Sequence, residues 1–149
     1  MPVADRILHM TSSVAQTIEL LGLRSTTVTI WASHAATDLL PLLNDHVHLK
    51  CKAASNALEL LTRYPDPHPP EHWVQTMTAV ARDEIEHPVR VTKLIDRRGG
   101  RLTKRHRNPY ARALYSLVRT GQGNHGLADR LMVSALIKAR SCERFGLLA

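Results

Sequence analysis

Apolar residues recur at helical spacing along most of the chain. Ile7, Leu8, Val14, Ile18 and Leu21 mark a first helix over 3–21, and Gly22 stands where helices commonly stop. Ser25-Thr26-Thr27 offers hydroxyls able to cap a second helix. Leu39, Leu42, Leu43, Val47, Ala53, Ala54, Ala57, Leu58 and Leu61 then keep a period close to 3.6 and predict a long helix over 31–64. Pro41 should kink or break it near its start. The run Pro65-Asp66-Pro67-His68-Pro69-Pro70 cannot continue a helix and reads as a rigid connector, with Pro70 in the first turn of the next one. That helix, over 70–98, gathers Trp73, Met77, Val80, Ala81, Glu84, His87 and Val91 on one side. Pro88 costs it an internal hydrogen bond, and Gly99-Gly100 ends it. Asn108-Pro109 opens a short helix to Arg119. Residues 121–126 read as a flexible turn, and a last helix runs from about 127 to 148. The expected fold is all-α, a helix bundle with one partner short or missing.

Composition narrows this picture. The 149 residues suit a single domain over 1–149, with the N-terminal helix within 1–24. Aromatic residues are only 4%, so the core must be aliphatic, which favours packed helices over a β-sandwich. Cys51 and Cys142 are too few for a disulfide framework or a structural zinc site, and each is expected to be a small buried residue. No apolar run approaches the roughly 20 residues of a membrane span, and the first ten residues lack the order of a signal peptide. A soluble, cytoplasmic protein is expected. Lys and Arg number 20 against 13 Asp and Glu, a net charge of +7 that makes a polyanionic partner worth considering.

Four segments carry candidate chemistry. Glu84 and His87 are three apart, so both leave one helix face with the spacing found in carboxylate-bridged di-metal bundles. A surface pair of the same spacing occurs by chance in many helices. Near the C-terminus, Lys138-Ala139-Arg140-Ser141-Cys142-Glu143-Arg144-Phe145 crowds charge between apolar residues, so part of that charge must approach the core and needs a partner or a metal. An Arg–Glu surface network is the plainer reading. Asp45-His46-Val47-His48 looks like a metal cluster by composition, but residues two apart on a helix diverge by about 200°. His46 and His48 therefore cannot share one ion and are expected to be satisfied polar side chains. The densest basic run holds Arg97, Arg98, Arg101, Lys104, Arg105 and Arg107. With Arg112 and Arg119 nearby, it is either a solvated loop or a phosphate-binding surface, to which Tyr110 and Tyr115 could add stacking.

Together these segments resemble the bacterial tRNA hydroxylase family MiaE. The resemblance rests on residues 42–58 (Leu-Leu-Asn-Asp-His-Val-His-Leu-Lys-Cys-Lys-Ala-Ala-Ser-Asn-Ala-Leu) and on Ala81-Arg82-Asp83-Glu84-Ile85-Glu86-His87. Asn108-Pro109-Tyr110-Ala111 adds to it, as does, most specifically, the stretch from Ala135 to Phe145. It covers about residues 31–149. It implies a ferritin-like helix bundle with two non-haem irons that uses O₂ to hydroxylate the isopentenyl group of 2-methylthio-N6-isopentenyladenosine beside the tRNA anticodon. Hard carboxylate ligands suit oxidised iron, with one His per iron. The basic loop would then hold the anticodon arm.

The same resemblance shows departures. Lys50 and Lys138 stand where the family has Glu, and the chain stops before the family's fourth, ligand-bearing helix. Positions 138 and 143 are about 140° apart around a helix, so they are not expected to share one role. If position 143 is the ligand, Glu143 survives; if position 138 is, that ligand is lost. The metal ligands left are Glu84, His87 and, in the first case, Glu143. Lys50 is expected to repel a cation and to pair with Glu84. Such a chain is expected to hold no di-iron centre and to be catalytically silent. Three functions compete: a tRNA hydroxylase homologue, either a truncated copy or a fragment of a longer chain; a non-catalytic tRNA-binding bundle; and a helical protein that self-associates to cover apolar faces around Ala53-Ala54-Ala57 and Leu136.

Overall fold

The computed structural model describes residues 22–148. The N-terminal helix expected over 3–21 lies outside the described residues. Within them the chain is all-helical, with α1 at Ile30–Thr37, α2 at Leu39–Thr62, α3 at Glu71–Arg97, α4 at Pro109–Tyr115 and α5 at Gly123–Gly146. They fall into two compact units, residues 22–37 with 134–148 and residues 38–133.

The break before α2 comes at Asp38, three residues ahead of the expected site at Pro41. Asp38 has extended backbone angles, and its carboxylate accepts from the Leu40 N–H at 3.0 Å. Pro41 thus sits in the first turn, where an N–H has no helical partner and its loss costs little. The hydroxyls of Ser25-Thr26-Thr27 do not cap α1, which starts at Ile30; Thr27 is used elsewhere, as described below.

In the 38–133 unit, α2 and α3 pack along one another as an antiparallel pair. Val47, Val91 and Ile95 form a buried cluster with Leu40 and Leu43 against it, while Lys50 meets Glu84 further along. Each fully buried aliphatic side chain contributes roughly 1.5–3 kcal/mol. Ala54 and Ala57 are also buried, while Ala53 and Leu136, the other residues of the apolar faces expected to lack cover, are half-buried. Helix α3 runs through Pro88, which has no N–H for the Glu84 carbonyl. At its end, Gly99 takes φ 70°. Its N–H donates to Asp96 O and that of Gly100 to Ile95 O, the paired bonds of a Schellman stop.

Asn108 caps α4 through the Ala111 N–H at 2.9 Å, with Pro109 at the first position. The helix closes at Tyr115, short of the expected Arg119. Helix α5 starts at Gly123, several residues before the expected 127. The stretch 121–126 is therefore only partly a turn. Gly126 lies buried inside the helix, where a Cβ would stand 2.6 Å from the Arg119 carbonyl oxygen; the absence of a side chain permits that approach. Asp129 fixes the same corner by accepting from the Arg119 N–H at 3.0 Å and from its guanidinium at 2.7 Å through both oxygens. These bonds hold the Asp129 carboxyl well below its usual range. Cys51 and Cys142 are both exposed, contrary to expectation: each lies on the solvent side of its helix.

Candidate functional site

Glu84 projects from α3 toward α2 and is buried. Lys50 Nζ lies 3.0 Å from its Oε2, with side-chain exposures of 18% and 4%. A carboxylate this deep costs several kcal/mol unless its charge is matched, and the ammonium supplies that match. His46, one turn before Lys50, is part of the same surroundings. Burial lowers its pKa to about 4, helped by the charges of Lys50 and His87 and opposed by Glu84 and Asp45. The imidazole is therefore neutral at pH 7. His87, expected on the same face as Glu84, is exposed, and its Nδ1–H donates to the Asp83 carbonyl at 2.7 Å.

Glu143 belongs to the other unit and is 1% exposed. Its carboxylate accepts from the Thr27 N–H at 2.6 Å and the Thr27 hydroxyl at 2.8 Å, and from Arg140 Nη1 at 2.5 Å. Arg140 also reaches the Ser25 hydroxyl at 3.2 Å. Glu143 thereby ties the segment before α1 to α5. Lys138 and Cys142 are exposed on the same helix. Arg144 stacks over Trp31, its Cζ 5.2 Å from the ring centroid. Burial pushes the Glu143 pKa up, but the bonds from Thr27 and Arg140 outweigh it and hold the pKa below its usual 4.5. A carboxyl lowered in the folded state contributes stability that is complete above its unfolded pKa and is lost as pH falls through the folded one. Thr27→Val, which keeps the N–H and deletes the hydroxyl, is expected to cost about 1–3 kcal/mol at neutral pH. Because Glu143 is then less depressed, the acid-side loss of stability should be smaller than in the wild type and complete at a higher pH, so the deficit narrows as pH falls. Urea unfolding from pH 7 to pH 3 checks both; curves that keep the wild-type pH dependence would contradict the assignment.

The basic run is held on α2 by a network that the sequence reading missed. Asn44 accepts from the Thr103 N–H at 2.8 Å, and His48 Nε2–H donates to the Thr103 carbonyl at 2.7 Å. His106 Nε2–H donates to Asp45 at 2.5 Å and accepts from Lys52 through Nδ1 at 2.9 Å. Asn108, besides capping α4, donates to the same Asp45 oxygen at 3.2 Å. The rings of His48 and His106 stack with centroids 4.8 Å apart. Asp45 and His48 are thus loop anchors, and His46 lies in the separate Lys50–Glu84 surroundings. The metal-like composition of 45–48 resolves into two separate jobs. Signals for the anchoring were present in Asn44, Asp45 and His48, polar residues within an otherwise apolar helical stretch.

Arg97, Arg98, Arg101, Lys104, Arg105 and Arg107 are all exposed, and among the described residues none of them makes an ion pair. Arg119, by contrast, is engaged by Asp129 at 2.7 Å. Beneath the loop lies an open pocket of about 480 Å³, lined by Asn44, Asp45, His48, Arg101, Arg105, His106 and Arg107 among others. Tyr115, 40% exposed, stands on α4.

Residues 13–149 match the family model described as tRNA-(MS[2]IO[6]A)-hydroxylase (MiaE). The chain belongs to the MiaE family. A relative from Pseudomonas putida, named tRNA 2-(methylsulfanyl)-N(6)-isopentenyladenosine(37) hydroxylase, is 40% identical over 118 residues, covering 79% of this chain and 56% of its own. A solved structure titled Protein 43 with aldehyde deformylating oxygenase activity, from Synechococcus, aligns with a TM-score of 0.77 and 32% identity, over 85% of this chain and 61% of its own. The fold is therefore the expected ferritin-like helix bundle. This chain spans less than two thirds of the length of either relative. Both names denote oxygen chemistry, in keeping with iron use in the MiaE family.

As they are arranged, the described residues do not fit a pair of irons. The Glu84 carboxylate is held by an ammonium, and the Glu143 carboxylate by a guanidinium, a hydroxyl and a backbone N–H. Among the described residues no group of three or more His, Cys, Asp or Glu is placed to hold a metal ion. Among them, too, no helix is long and apolar enough to cross a membrane.

Proposed function

We propose that this MiaE-family chain acts in tRNA modification as a binder of the tRNA anticodon arm and does not itself carry out the hydroxylation. One observation carries the reading: among the described residues six exposed cations free of ion pairs run from the end of α3 (Arg97, Arg98) into the following loop (Arg101, Lys104, Arg105, Arg107), which is pinned to α2 through Asn44, His48 and Asp45. Arginines already committed to carboxylates would have to break those bonds to meet phosphate. These need not, and the pinned loop loses less freedom on binding than a mobile one. Guanidinium groups suit phosphate because their donors form a planar fork. The family relationship supports tRNA as the RNA concerned. Catalysis falls outside the proposal because the carboxylates that iron would need are already held by Lys50 and Arg140. Self-association is not required to cover Ala54 and Ala57, which are already buried.

A filter-binding titration with tRNA at two salt concentrations tests the binding. If all six cations meet phosphates, affinity falls by about 10³-fold between about 50 and 200 mM salt. An affinity that is weak at low salt and insensitive to salt would remove the proposal.

A further inference from the structure

We infer that Lys50 takes the electrostatic place of a bound cation in the α2–α3 pair, so that the pair is a strut that works without metal. The inference stands apart from RNA binding and concerns only the helix pair. Glu84 reaches the helix interface with its side chain 4% exposed, and the Lys50 ammonium from the facing helix lies 3.0 Å away. The family resemblance puts a carboxylate at position 50. Two carboxylates at that separation repel, and one ionises poorly unless a cation lies between them. Lysine removes the repulsion and fills the need for positive charge with a covalently attached group. His46, which feels the charges of Lys50, His87 and Glu84, joins no metal-holding group among the described residues. The facing helix thus offers Glu84 an ammonium in the place of a second carboxylate that would make a divalent cation worth binding there.

The test uses the full chain, with K50M and K50E, in thermal unfolding scans with a chelator or with Co(II). The wild-type midpoint is expected to be the same in both conditions. K50M should fall by about 10 °C and ignore Co(II), because it leaves a buried carboxylate with no cation and no second ligand. K50E should fall at least as far in chelator and recover several degrees in Co(II), because the metal can then bridge two carboxylates. A wild-type midpoint raised by Co(II), a K50E variant as stable as wild type in chelator, or a destabilised K50E that Co(II) does not help would each overturn the inference. If K50E yields no folded protein in either condition, equilibrium dialysis of the wild type decides. Co(II) retained at one or more per chain overturns the inference, and none retained supports it.

Discussion

Glu84→Leu is expected to lower folding stability by about 3–5 kcal/mol, the largest effect of any single substitution in the helix pair. The cost does not come from losing an attractive contact alone. Deleting the carboxylate strands the Lys50 ammonium, whose side chain is only 18% exposed, without its counter-charge. The ammonium can escape part of the penalty by swinging toward water, and this caps the loss. The double variant K50M/E84L removes both charges and should recover most of the lost stability, since a well-packed apolar pair is often as good as a buried ion pair. The two residues touch, so their effects will not add, and the coupling itself measures the interaction. Urea midpoints for the wild type, the two single variants and the double give the full cycle. A Glu84→Leu cost below about 1 kcal/mol would place the pair in the class of solvated surface bridges and would contradict the burial on which the account depends.

The second large effect concerns the basic loop. Replacing Arg101, Arg105 and Arg107 together by Ala is expected to reduce tRNA affinity by about 10²-fold at about 0.1 M salt. The figure follows from counterion release: each lost phosphate contact flattens the plot of log affinity against log salt by about 0.7–0.9, so three flatten it by about 2. The change in slope is the decisive readout, because a folding defect would lower the active fraction without altering it. Stability should stay near that of the wild type, since the three side chains are exposed and free of ion pairs, while the anchors Thr103 and His106 remain in place. Unchanged slope and affinity would mean that these arginines form an ordinary solvated loop.

How far the sequence reaches differs from one feature to another. Stops and starts set by local chemistry were legible: Gly99 after α3, Pro70 before it, and Asn108-Pro109 at α4 all act within a few residues of themselves. The break at Asp38 was misplaced because proline draws attention as a breaker, although in a first turn it breaks nothing; the capping carboxylate three residues earlier sets the boundary. Gly126 looked like part of a turn because glycine usually is. Its reason for being there is a carbonyl seven residues earlier, which no local pattern reveals. The Lys50–Glu84 pair could be anticipated, since helical periodicity and the resemblance put opposite charges on facing helices. Thr27 with Glu143 could not, because 116 residues separate them and neither hydroxyl nor carboxylate announces its partner. The same holds for His106 with Asp45, 61 apart. Composition marked residues 45–48 as chemically dense, but only the folded loop shows that density serving to hold arginines in place.

On the proposed reading this chain keeps an RNA-binding surface, while Lys50 stands where the resemblance implies an iron-binding carboxylate. Iron retained after anaerobic Fe(II) reconstitution, measured on protein shown to bind tRNA, tests it most directly. No stoichiometric iron and undiminished tRNA binding are expected. About two irons per chain, the number a di-iron bundle holds, would contradict it.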